Sequence, residues 1–143
     1  MQPAVPEAFR EYVLHLSAAV PPIRPTILIV EDDLALRQFY RVAMELRGFT
    51  VEAAADGIAA LKLLEAGSRP QLIVLDLGLP NISGLEFARE LASNVTTGHI
   101  PIVVVTGLTD PFDEQPFAAV LHKPVSPDHI AFVVERTLRR YVV

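Results

Sequence analysis

Leu72-Ile73-Val74-Leu75-Asp76-Leu77-Gly78-Leu79-Pro80 carries four large apolar side chains in succession into a single carboxylate, with Gly and Pro soon after. A short run without polar alternation is what a strand covered on both faces requires. The same pattern recurs on either side. Thr26–Val30, Thr50–Ala54, Gln71–Leu75, Pro101–Val105 and Ala118–Leu121 read as five strands. Amphipathic stretches fill the gaps. The first helix is expected from about Asp33 to Arg47 and stops at Gly48, while the second starts after Asp56 and stops at Gly67. Glycine ends a helix because it enters the left-handed region without a Cβ penalty. The third helix opens with Ser83 and Glu86 at capping-box spacing, and the last with Ser126 as cap and Pro127 at the first helical position. Strand–helix alternation with nearly continuous apolar strands predicts an α/β fold, a doubly wound parallel sheet with helices on both faces.

The chain has 143 residues, 51% of them apolar, enough for one domain with a proper core. Its net charge of −5 argues against wrapping nucleic acid or binding an anionic membrane, both of which want clustered Lys and Arg. Cysteine is absent, so no disulfide or thiolate metal site contributes. His15, His99, His122 and His129 lack the spacing of a zinc site. No apolar run approaches the roughly 18 residues of a spanning helix, and His15 and Ser17 interrupt the nearest imitation of a signal segment. A soluble, cytoplasmic protein is expected.

In a doubly wound sheet, ligands gather at the carboxyl ends of the strands. Glu31, Asp32 and Asp33 follow the first strand, Asp76 the third, Thr106 the fourth and Lys123 the fifth. Singly, each has a plainer role: Asp33 as a helix cap, Asp76 as turn chemistry, Lys123 as a surface charge. Together they point to one chemistry. Carboxylates this close repel unless a cation neutralises them, and a hard divalent ion with oxygen ligands, magnesium above all, suits the set. Lys123 then remains as a point charge for a phosphoryl oxygen.

The segments Ile27-Leu28-Ile29-Val30-Glu31-Asp32-Asp33, Leu72 to Pro80, Val103-Val104-Val105-Thr106-Gly107 and His122-Lys123-Pro124 resemble the signature stretches of response-regulator receiver domains. The resemblance runs from Thr26 to about Tyr141, dividing the chain into an N-terminal extension (1–25) and a receiver domain (26–143). It implies a flavodoxin-like sheet of order 2-1-3-4-5 and a phosphoryl-acceptor switch rather than an enzyme. Asp76 would be the nucleophile that takes a phosphoryl group from a histidine kinase or phosphotransfer protein. Asp32, Asp76 and the Gly78 carbonyl would bind Mg2+ directly, with Glu31 acting through a water. Lys123 and Thr106 would hold phosphoryl oxygens, and a downstream protein would read the state.

Some positions depart from that pattern. Gly78 has no side chain and Leu108 is apolar at two places that tend to govern phosphate lifetime in the family. Val120 stands where many receivers carry an aromatic residue. Only 17 positions separate Thr106 from Lys123, and Pro111 and Pro116 lie between them. Proline disfavours helix in itself and in its predecessor, so the fourth family helix should be a single turn or absent. A haloacid-dehalogenase-like phosphatase would want a second Asp where Gly78 stands. A receiver belonging to a hybrid kinase or a phosphorelay is the nearer alternative.

Between Pro6 and Pro21 an extra helix is expected over Glu7 to Val20. Phe9, Tyr12, Val13, Leu16 and Val20 form one apolar stripe there. Such a stripe calls for cover, from the rest of the chain or across a homodimer.

Overall fold

The computed structural model describes residues 4–12 and 24–141. Five parallel strands, β1 (Thr26–Val30), β2 (Thr50–Ala54), β3 (Leu72–Leu75), β4 (Ile102–Thr106) and β5 (Ala119–His122), form one sheet of order β2-β1-β3-β4-β5. Among the described residues, four helices follow β1: α1 (Leu34–Leu46), α2 (Gly57–Glu65), α3 (Gly84–Ala92) and α4 (Pro127–Tyr141). The first two strands match the sequence expectation, and the other three begin one residue later than expected. Residues 7–12 are helical, as expected for the start of the N-terminal helix; its continuation through Val20 falls on 13–20, outside the described residues.

The pleat of β1 divides the core. Ile27 and Ile29 point to one face, where Tyr40 and Met44 of α1 and Ile130, Val134 and Leu138 of α4 cover them. Leu28 and Val30 point to the other, beneath Ala60 and Leu64 of α2 and Phe87 and Leu91 of α3. Burial on both faces is why these strands carry no alternation. Register follows: Ile27 lies opposite Val51 on one side and Leu72 on the other. Together these pairings bring the carboxyl ends of β1, β3 and β4 to one rim.

The helix boundaries are set as the sequence implies. Asp33 caps α1 by accepting from the Leu36 amide at 2.9 Å, Asp56 caps α2 by accepting from Ala59 at 2.7 Å, and Ser83 Oγ accepts from Glu86 at 3.1 Å. Gly48 and Gly67 have φ of 89° and 107°, the left-handed geometry that ends the first two helices.

Between β4 and β5 residues 107–118 contain no helix. The two prolines account for this. In its place Phe112 and Phe117 meet edge to face, ring centroids 6.1 Å apart, and pack against the α2–α3 side of the core.

Candidate functional site at the carboxyl rim of the sheet

Hydrophobic strands deliver each polar group to the rim. β1 ends at Val30, so Glu31 is carried just beyond the core and is itself buried, whereas Asp32 is exposed. β3 ends at Leu75 and sets Asp76 beside it, its amide donating to the Val30 carbonyl at 3.0 Å. One carboxylate oxygen from each of Glu31, Asp32 and Asp76 lies within 4.8 Å of the others. β4 ends in Thr106, fully buried, and β5 is followed by Lys123, whose amide donates to the Thr106 carbonyl at 2.8 Å. The residues singled out in the sequence therefore converge, and Asp33 stays apart as a cap.

Three acidic groups and one ammonium share this rim. Lys123 Nζ lies 2.8 Å from Glu31 Oε1 and 3.6 Å from Asp76 Oδ2. Burial pushes the Glu31 carboxyl up to about 7; Lys123 opposes that rise and Asp76 adds to it. Burial also pulls on the Lys123 ammonium, yet the hydrogen bond and charge of Glu31 outweigh it, so the ammonium is held above its ordinary range. The Gly78 amide donates to Asp76 Oδ1 at 3.1 Å, and the Leu108 amide donates to Thr106 Oγ1 at 3.0 Å.

An all-oxygen donor set with one exposed member fits a hard divalent cation that keeps part of its water. The donors agree with magnesium and offer no nitrogen or sulfur to a softer metal.

Two residues of this rim are not legible from strand ends. Arg37 donates to the Glu31 carbonyl at 2.7 Å and to the Asp32 carbonyl at 3.3 Å, clamping the loop that carries both carboxylates. Its signal is a cation near the amino end of a helix, where the helix dipole disfavours one. Gly84 approaches Asp76 so closely that a Cβ there would lie 2.4 Å from the Asp76 carbonyl oxygen and 2.6 Å from Leu77 Cα. No pattern in the sequence marks that contact.

The sequence profile of the response regulator receiver domain matches residues 27–135. Response regulator MprA of Mycobacterium sp. strain KMS is 44% identical over 85 residues, which cover 59% of this chain and 35% of that protein. MprA of Mycobacterium avium strain 104 is 42% identical over 80 residues, 56% of this chain and 34% of its own. The chain thus spans about a third of the length of these curated relatives. Among solved structures, the chemotaxis response regulator CheY4 of Vibrio cholerae aligns with a TM-score of 0.72 at 27% identity, over 80% of this chain and 99% of that one. The signal receiver domain of a signal transduction histidine kinase from Syntrophus aciditrophicus aligns at 0.73 and 28% identity, over 81% and 91%.

Proposed function

We propose that this chain, which belongs to the response regulator receiver domain family, takes a phosphoryl group onto Asp76 from a histidine kinase or phosphotransfer protein and signals through protein contacts. The family consists of regulatory switches of two-component signalling, and residues 27–135 carry its pattern. The observation that supports Asp76 as acceptor is its carboxylate lying within 4.8 Å of Glu31 and Asp32 oxygens while Lys123 stands 3.6 Å away.

In the reaction an Asp76 oxygen attacks phosphorus in line, the new O–P bond forms as the N–P bond to the donor histidine breaks, and the imidazole nitrogen keeps the electron pair. A magnesium ion held by Asp32, Asp76 and the Gly78 carbonyl, with Glu31 behind it, would neutralise the phosphoryl charge. Gly78 N–H fixes one Asp76 oxygen through a 3.1 Å hydrogen bond and so orients the other. Lys123, 3.6 Å from Asp76 Oδ2, would offer its ammonium to a phosphoryl oxygen. Thr106 Oγ supplies a hydroxyl donor from the next strand. Transfer of this kind depends mainly on such placement of charge and donors.

A receiver working within a hybrid kinase or a phosphorelay is a second reading, favoured by the likeness to the receiver domain of a histidine kinase. An Asp-nucleophile phosphatase fits less well, because Gly78 offers no acid two residues after Asp76. Acetyl phosphate with magnesium tests the proposal. Mass spectrometry should show one acid-labile phosphoryl adduct, lost in Asp76→Asn; an adduct formed by the variant at the parental rate would overturn the assignment.

A further inference from the structure

Arg37 stands where a helix gives a cation no help. α1 opens at Leu34 and its first turn holds no acidic residue, so the half-buried guanidinium meets the positive end of the helix dipole with nothing there to offset it. Arg41, Arg47 and Arg139 each pair with a carboxylate, whereas among the described residues Arg37 pairs with none. Its partners are backbone oxygens. One nitrogen, Nη1, donates to the Glu31 carbonyl at 2.7 Å and to the Asp32 carbonyl at 3.3 Å.

The neighbours of Asp32 are well held without that nitrogen. The Glu31 amide donates to the Ala54 carbonyl at 3.1 Å, and the Glu31 carboxylate accepts from Lys123 at 2.8 Å. The Asp33 carboxylate caps α1, and the Asp33 carbonyl accepts from the Arg37 amide at 2.9 Å. Asp32 itself is exposed, and among the described residues the bond from Arg37 is the only hydrogen bond it makes. The Glu31 carbonyl lies in the planar peptide unit before the Asp32 Cα, and the Asp32 carbonyl in the unit after it. Holding both planes fixes φ and ψ at Asp32 and with them the direction of its side chain.

We propose that Arg37 is a positioning residue for the metal at the rim and that, by fixing Asp32, it makes the site prefer magnesium to calcium. The inference rests on the metal reading of the rim given above. Magnesium demands a near-regular octahedron of short bonds, whereas calcium accepts longer bonds in looser arrangements. A carboxylate held in one direction therefore matters more to magnesium. Hydrogen bonds that orient a ligand from behind are a known source of metal affinity. The charge of Arg37 acts the other way, since it repels an arriving cation, so the sign of the effect separates orientation from charge.

The test titrates the full chain with magnesium and with calcium at fixed ionic strength, without a phosphoryl donor, following backbone amide shifts at the rim. Arg37→Met keeps an unbranched stem and removes both donors and charge; Arg37→Lys keeps a nitrogen donor. Urea unfolding in chelator checks that each variant is folded. Arg37→Met should weaken magnesium about tenfold and calcium by no more than about threefold, with Arg37→Lys between the parent and Arg37→Met in its preference for magnesium. Should Arg37→Met not fold, Arg37→Lys carries the same test, its preference being expected below that of the parent. Unchanged or tighter magnesium binding in the variants, or equal weakening of both ions, would overturn the proposal. A parent chain with no saturable magnesium binding would overturn the metal reading as well, whereas a parent that binds and variants that match it overturn the role of Arg37 alone.

Discussion

Lys123 Nζ lies 2.8 Å from Glu31 Oε1 and 3.6 Å from Asp76 Oδ2, one ammonium shared unequally between a buried carboxylate and the proposed acceptor. At Glu31 the desolvation of a buried carboxylate outweighs the nearby ammonium, which opposes it. Burial raises its carboxyl to about 7 from an ordinary 4.5. The folded state therefore binds the Glu31 proton more tightly than the unfolded state does. This stabilisation is full below pH 4.5 and is lost as the pH rises through 7. In chelator, urea unfolding should show stability falling across that window by as much as about 3 kcal/mol. Glu31→Gln should flatten the slope; a variant with the parental slope would assign it to another group.

Gly84 and Gly78 make a matched pair at the same rim. A Cβ on Gly84 would lie 2.4 Å from a backbone oxygen and 2.6 Å from a backbone Cα, neither of which yields readily, whereas a Cβ on Gly78 would meet nothing nearer than 3.9 Å. Gly84→Ala should destabilise by roughly 2–3 kcal/mol through overpacking, and Gly78→Ala should stay within about 0.5 kcal/mol of the parent. Denaturant midpoints decide it. Equal costs at the two sites would contradict the packing described.

Most of the fold is legible because burial on both faces writes itself as uninterrupted apolar runs, and because Asp33, Asp56, Ser83, Gly48 and Gly67 punctuate the helices chemically. The site is legible for a related reason: strand ends are fixed by where the apolar run stops, so the polar residue that follows is placed by the core. What escapes is contact that no periodicity encodes. Arg37 reaches the Glu31 and Asp32 carbonyls from the next helix, and Gly84 is dictated by a backbone passing within van der Waals range. The unequal pairing of Lys123 escapes too, since sequence gives the charge but not which carboxylate it approaches.

Asp32 is the exposed member of the acidic trio, the one a hydrated ion reaches from solvent. If the phosphoryl group completes the ion's oxygen shell, magnesium and a phosphoryl mimic should bind cooperatively. Beryllofluoride titration with and without magnesium should show at least a tenfold difference in apparent affinity, removed in Asp32→Ala. Equal binding of the mimic in both conditions would sink the metal reading.

The last expectation concerns how the phosphoryl state is reported. Thr106 Oγ1 accepts a hydrogen bond from the Leu108 amide at 3.0 Å, so the hydroxyl that would turn toward a phosphoryl oxygen also anchors the start of the 107–118 segment. Val120 has no ring to move between buried and exposed positions, and no helix occupies that segment to carry a shift as a rigid body. Moving Thr106 must therefore alter the segment itself. Phe112 and Phe117, half-buried and edge to face, are the side chains whose burial should follow. A change of order in a segment held by few hydrogen bonds is an established form of switching. Amide hydrogen exchange with and without beryllofluoride should show its largest change in protection between Gly107 and Phe117. Thr106→Ala should abolish that change while the fold persists. If the segment is equally protected in both states and the change instead falls in α4, the signal leaves the rim by another route and this relay is wrong.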